Sequence, residues 1–315
     1  MSRTAYVDGA YRALPVATVS IQDRGFQFAD SIYEVWAVRD RRLLDCEGHL
    51  TRLRRSLAEV RMTAPMSDAA LILVIKETMR RNGVHDGIVY LQVSRGAAPR
   101  DHAFPPAGVR PTLVVTAKNL DRKALAARAG AGVKVITLPE TRWARCDIKT
   151  VNLLPNVLAK QQAREAGAFE AWFVDADGFI TEGAAANAWI VDSQGRLRTR
   201  ELSHRLLHGV TRAVMLKLAR ELGMAVVEAP FTPAEARAAR EAFLTSASNP
   251  AIAVIAIDGA SIGDGRPGPV ARALREAYLS AATASAPADK QLPPRAARLK
   301  VALAAARTTR RHKIV

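Results

Sequence analysis

The chain has 315 residues, 49% apolar and 24% charged, with a formal net charge of +16. That length accommodates two ordinary domains with sizeable cores, and the mix is that of a globular protein. No apolar run approaches the roughly 18 residues of a membrane span, and the start, Met-Ser-Arg-Thr-Ala-Tyr-Val-Asp, lacks a signal-peptide core. Two cysteines, Cys46 and Cys146, and six histidines show neither a disulfide framework nor zinc spacing, so a reducing, cytoplasmic setting is expected. From Ala281 onward eight Lys/Arg stand against Asp289 alone, so the tail carries +7 and the rest +9. A basic body helps to draw in anionic ligands.

In chain order, Asp8-Gly9 punctuates a hairpin, and Ile32 to Val38 is a β-rich run ending at the turn Arg39-Asp40-Arg41-Arg42. Leu50, Leu53, Leu57 and Val60 recur at helical spacing, and a second helix fits Ser67 to Asn82, with Ser67 as N-cap and Gly83 as stop. Strands are expected at 88–94 and 111–117, around a long loop, 95–108, whose composition suits function. An interdomain connection is placed at 119–126. Beyond it come a strand at 133–138, a helix at 155–166 and strands near 171–174 and 186–191. A helix at 211–222, strands at 225–228, 242–245 and 252–257, and a last helix at 270–282 complete the series. The expected division is 1–118, an N-terminal α/β domain; 119–126, a linker; 127–282, a second domain; and 283–315, an appended Ala/Pro-rich basic tail, with a possible helix at 296–307.

The chemistry concentrates between Arg142 and Asn187. Lys149 lies in Arg142-Trp-Ala-Arg-Cys-Asp-Ile-Lys149-Thr-Val-Asn152. Cationic neighbours and partial burial lower a lysine pKa and free its amine to attack a carbonyl. Arg142 and Arg145 would supply that charge, and Trp143, Ile148 and Val151 the apolar cover. On chemistry alone a solvated surface lysine is the more ordinary reading. Likewise His208-Gly209-Val210-Thr211 leads into an amphipathic helix whose start can bind phosphate, or can be a simple cap. Arg52 reads as an exposed helix arginine on the polar side of its helix, and Arg54 and Arg55 as surface.

Arg-Cys-Asp-Ile-Lys149 and Thr181-Glu182-Gly183, at this separation, resemble the fold-type IV pyridoxal-phosphate aminotransferases, most of all the D-amino acid transaminases. The likeness runs from about Tyr6 to Ala282. It implies a two-domain α/β (α+β) fold with pyridoxal 5'-phosphate between the domains. Lys149 would hold the cofactor as an aldimine and serve as acid/base, and Glu182 would face the pyridine nitrogen. Arg52, the amides of Val210 and Thr211, and Ser246 with Ala247 would bind the phosphate. Ala247 departs from the usual Ser-Thr pair and lacks its hydroxyl; Ala184, Ala185 and Ala186 stand where serines are common. Tyr33, Arg100 and His102 would trap the substrate α-carboxylate, and Arg-x-His in this loop separates D-amino acid transaminases from their branched-chain L-relatives. The implied reaction moves an amino group from a D-amino acid, such as D-alanine, to a 2-oxo acid, such as 2-oxoglutarate, in a homodimer whose loop completes the partner's site. A branched-chain L-transaminase and an aminodeoxychorismate lyase are alternatives on the same fold. A nucleic-acid-binding protein, suggested by the basic tail, lacks aromatic residues there to stack bases. No Gly-x-Gly-x-x-Gly or Walker loop is present.

Overall fold

The computed structural model describes residues 3–284. Residues up to Ser280 belong to one compact unit that contains two sheets. The first is entirely antiparallel and has six strands: β1 (Thr4–Val7), β2 (Ala10–Ala13), β3 (Ser31–Arg39), β4 (Arg42–Leu43), β5 (Gly87–Ser94) and β6 (Thr112–Asn119), in the order β2-β1-β6-β5-β3-β4. Its two tight turns fall where expected. Asp8 and Gly9 (φ 42° and 92°), and Asp40 and Arg41 (φ 48° and 64°), take the left-handed conformations that match a two-residue hairpin to strand twist.

Between these strands lie α1 (Arg24–Phe28), α2 (Cys46–Glu59) and α3 (Asp68–Arg81), the last capped by Ser67 on the Ala70 amide. Leu50, Leu53 and Leu57 of α2 and Leu71, Ile75 and Met79 of α3 bury against Trp36, Val89, Leu91 and Val115 of the sheet. Each such side chain contributes about 1.5–3 kcal/mol of apolar burial.

The second sheet has nine strands and mixed pairing. It comprises β7 (Val133–Pro139), β8 (Glu170–Val174), β9 (Ile180–Gly183), β10 (Asn187–Val191), β11 (Leu197–Thr199), β12 (Val226–Glu228), β13 (Glu241–Ser246), β14 (Asn249–Ile257) and β15 (Ala260–Ser261). Their order is β12-β11-β10-β13-β14-β7-β8-β9, with β15 on β14. The associated helices are α4 (Arg122–Ala131), α5 (Leu154–Glu165), α6 (Val210–Glu221), α7 (Pro233–Arg237) and α8 (Pro269–Ala284). The segment 119–126 comprises the end of β6, the Asp121 cap and the start of α4. Among the described residues no helix is long and apolar enough to cross a membrane. The basic tail and its possible helix at 296–307 lie outside the described residues, apart from 283 and 284 in α8.

Candidate active site

A cavity of about 310 Å³ is lined by Tyr33, Arg52, Lys149, Glu182, Val210, Thr211, Ser246 and Ala247. That volume suits a small organic ligand. The expected site residues from both halves of the sequence thus meet, with the exception of Arg100 and His102.

Lys149 reaches the cavity because its segment pairs with β3. The Tyr33 amide donates to the Lys149 carbonyl at 2.9 Å, Val151 donates to Ser31 at 3.1 Å, and Thr150 bridges Ile32. The half-buried Lys149 Nζ consequently stands 4.1 Å from the Tyr33 ring centroid. Asp147, two residues earlier, is fully buried and anchors the segment from behind. It accepts from Arg55 at 2.5 Å, from Arg145 at 3.0 Å and meets His204 Nδ1 at 3.1 Å. Burial opposes its charge, but the bonds from Arg145, His204 and Arg55 outweigh that and hold its pKa well below the carboxylate range. Arg55 is therefore no plain surface residue: it is half-buried and ties α2 to the lysine segment. Arg54, paired with Asp68 and Glu47, is exposed as expected.

The arginines expected to make Lys149 a better nucleophile are spoken for. Arg142 donates to Glu140 (2.7 and 2.9 Å) and to Glu182 (2.5 Å), and Arg145 to Asp147 and Glu59. Their charge is neutralised locally, so proximity to arginine is not a sufficient account of an activated amine. Neighbouring Cys146 offers no nucleophile, because burial pushes its thiol up to about 12.

Glu182, on β9, also lines the cavity. It is 4% exposed and accepts from Arg142, from the Leu207 amide at 2.9 Å and from Asn187 Nδ2 at 3.1 Å. Burial outweighs the Arg142 charge and raises its pKa, so the carboxylate gains from any further cationic donor.

Arg52 is buried, not exposed, which corrects the sequence reading. Its Nε and Nη2 form a two-pronged pair with Glu34 at 2.7 and 2.8 Å, and Nη1 donates to the His208 carbonyl at 3.2 Å. Glu34 has no exposed surface; burial disfavours its charge, but Arg52 and His49 prevail and hold its pKa at about 2. The Nη1 and Nη2 groups keep further protons beyond those given to Glu34 and His208.

The start of α6 has no side-chain cap, its N-cap being Gly209. Its first amides thus remain available to an anion. A Cβ at 209 would stand 2.0 Å from Asn187 Oδ1, so any side chain there would displace Asn187, which donates to Glu182. At Gly48 of α2 a Cβ would press on Val210 Cγ1 at 2.8 Å, so that glycine lets α2 bring Arg52 close to the same helix start. Ser246 and Ala247 line the cavity from the β13–β14 hairpin.

Arg100 and His102 are exposed and do not line this chain's cavity. Their loop is fastened to α1: Arg24, 3% exposed, donates to the carbonyls of Asp101 (2.6 Å) and His102 (3.3 Å). The Arg100 guanidinium and the His102 ring lie 5.0 and 5.4 Å from the Phe28 ring centroid.

Pyridoxal phosphate fits this donor set. Lys149 offers an amine for its aldehyde, Glu182 a buried carboxylate for its ring nitrogen, and the uncapped α6 start with Arg52 a cradle for its phosphate.

The family model described as amino-transferase class IV matches residues 31–257. The chain is 40% identical over 266 residues to the D-alanine aminotransferase of Bacillus licheniformis, covering 83% of this chain and 92% of that one. It is 34% identical over 273 residues to that of Staphylococcus haemolyticus, with 87% and 95% covered. Among solved structures, a branched-chain amino acid aminotransferase from T.th. with pyridoxamine 5'-phosphate superposes with a TM-score of 0.82 at 27% identity, covering 91% of this chain and 96% of that one. Its complex with N-(5'-phosphopyridoxyl)-L-glutamate gives 0.80 at 28%, with the same coverage. The fold and family expected from Lys149 and Glu182 are borne out: this chain belongs to the class IV aminotransferases.

Proposed function

We propose that this chain is a pyridoxal-phosphate-dependent transaminase that passes an amino group from a D-amino acid of the alanine class to a 2-oxo acid such as 2-oxoglutarate. The observation that carries the reading is Lys149 Nζ on the Tyr33 ring, in one cavity with Glu182 and the uncapped start of α6. The bound cofactor supplies an electron sink for the pair of electrons released at the substrate Cα. Lys149 would hold the cofactor through its amine, and that amine, when free, would carry the substrate Cα proton. Glu182 would accept from the cofactor's ring nitrogen, and its charge would favour the protonated ring. Arg52, Val210, Thr211, Ser246 and Ala247 (through its amide) hold the phosphate. Tyr33, with Arg100 and His102, orients the substrate carboxylate. We further read residues 1–118 and 127–282 as two domains meeting at this cavity, and a cytoplasmic location.

The donor preference rests on the Arg100-Asp101-His102 loop and on the two D-alanine aminotransferases above; the branched-chain structures keep an L-specific reading as the alternative. A panel of paired D- and L-donors with 2-oxoglutarate tests it. D-alanine is expected to react fastest, and faster turnover of L-leucine or L-valine would make the enzyme a branched-chain transaminase.

Because Arg100 and His102 lie outside their own chain's cavity, we propose that they serve the partner's site in a homodimer. An isologous interface then completes both sites with one patch of surface. Lys149→Ala and Arg100→Ala, each strongly impaired alone, are expected to regain roughly half of wild-type activity per mixed dimer, since one site collects both lesions and the other none. A mixed dimer, verified by mass, that stays inactive would place the loop in cis.

A further inference from the structure

The β13–β14 turn carries three polar side chains around the position where Ala247 has no hydroxyl. Ser246 pairs in register with Asn249 across the hairpin, and Ala247-Ser248 make the turn between them. Asn249 Nδ2 donates to Ser248 Oγ at 3.1 Å and, more weakly, to Ser246 Oγ at 3.5 Å. All of these residues line the cavity, and the strand leading into the turn packs against α6.

A hydroxyl has one proton and two lone pairs. With the amide protons of Asn249 on their oxygens, both serines have O–H groups free to donate elsewhere. Asn249 Oδ1 meets no partner among the described residues. With the amide oriented this way, Nδ2 and not Oδ1 faces the two hydroxyls. An acceptor-only anion is the ligand that such a set suits, and donation from Asn249 polarises each O–H towards it.

We propose that Ser248, oriented by Asn249, supplies to the cofactor phosphate the hydroxyl that Ala247 lacks, beside Ser246. The assignment rests on the pyridoxal-phosphate reading above. Ser248 is then a binding residue, and Asn249 a positioning residue that acts through the two serines.

The test is equilibrium titration of apoenzyme with pyridoxal 5'-phosphate and, separately, with pyridoxal, which lacks the phosphate. Ser248→Ala is expected to weaken pyridoxal phosphate roughly ten- to hundredfold and to leave pyridoxal unchanged, since one charge-assisted hydrogen bond is lost. Ser248→Thr keeps the hydroxyl and the affinity, and Ala247→Thr added to Ser248→Ala restores it. Asn249→Asp, which would accept from the serines and repel an anion, is expected to weaken phosphate binding more than Ser248→Ala does. Unchanged pyridoxal phosphate affinity in Ser248→Ala, or an equal loss for both ligands, overturns the assignment while leaving the cofactor reading intact. Wild-type apoenzyme that binds neither ligand would overturn both.

Discussion

Lys149→Ala is expected to lower kcat by at least about 10⁴-fold, because in the proposed role of Lys149 one change removes the cofactor's covalent anchor and the Cα proton carrier together. The fold should survive. What stitches this segment to β3 is backbone: the Lys149 carbonyl accepts from Tyr33, and Val151 donates to Ser31. The side chain contributes a contact with the Tyr33 ring, worth about 0.5–1 kcal/mol. Steady-state kinetics and thermal unfolding separate the two effects. A variant that keeps a tenth of its activity would move the chemistry to another residue, and one that unfolds would make Lys149 structural.

The largest stability effect is expected at Glu34→Ala. Glu34 is the shared acceptor of Arg52 and His49, and all three are buried. Removing it strands a guanidinium in the core, at a cost of about 3–5 kcal/mol. In a chain of this size that lowers Tm on the order of 10 °C. Phosphate affinity should fall with it, because Glu34 fixes the plane of Arg52.

The same pair gives a pH signature. The folded pKa of Glu34, about 2, lies below its ordinary 4.5, so its contribution is fully present above pH 4.5 and is lost as pH falls towards 2. Its size is on the order of 3 kcal/mol. Denaturant unfolding between pH 5 and 3 is expected to fall more steeply for wild type than for Glu34→Gln, which has no carboxylate to protonate. Parallel slopes would show that the ion pair does not set acid stability.

What the sequence disclosed follows from how local each signal is. The segments that bring Lys149 and Glu182 to one cavity are legible because a short motif marks each, and β3, α2, α3 and α6 because apolar spacing repeats over several turns or pleats. The partners are not. Glu34 and Arg52 are 18 residues apart, Arg52 and His208 are 156 apart, and Arg55 and Asp147 are 92 apart. No periodicity joins such pairs. One hint was present: a glutamate inside the apolar run Ile32-Tyr-Glu-Val-Trp is costly to bury without a cation. Arg52 looked exposed because its helix shows leucines on one face, yet its own face is covered by Glu34 and the loop before α6. The short elements β9, β11, β15 and α7 carry too few residues to show a period. α4 has weak apolar spacing, and its clearest mark is the Asp121 cap on the amides of Lys123 and Ala124.

Lys149, in this cavity, is expected to carry the cofactor. Borohydride reduction of the purified enzyme fixes pyridoxal phosphate to the lysine that holds it, and peptide mapping by mass identifies that residue. The expected product is a single phosphopyridoxyl group on the peptide containing Arg-Cys-Asp-Ile-Lys149. Label on Lys160 or any other lysine, or no label on enzyme that transaminates, would contradict it.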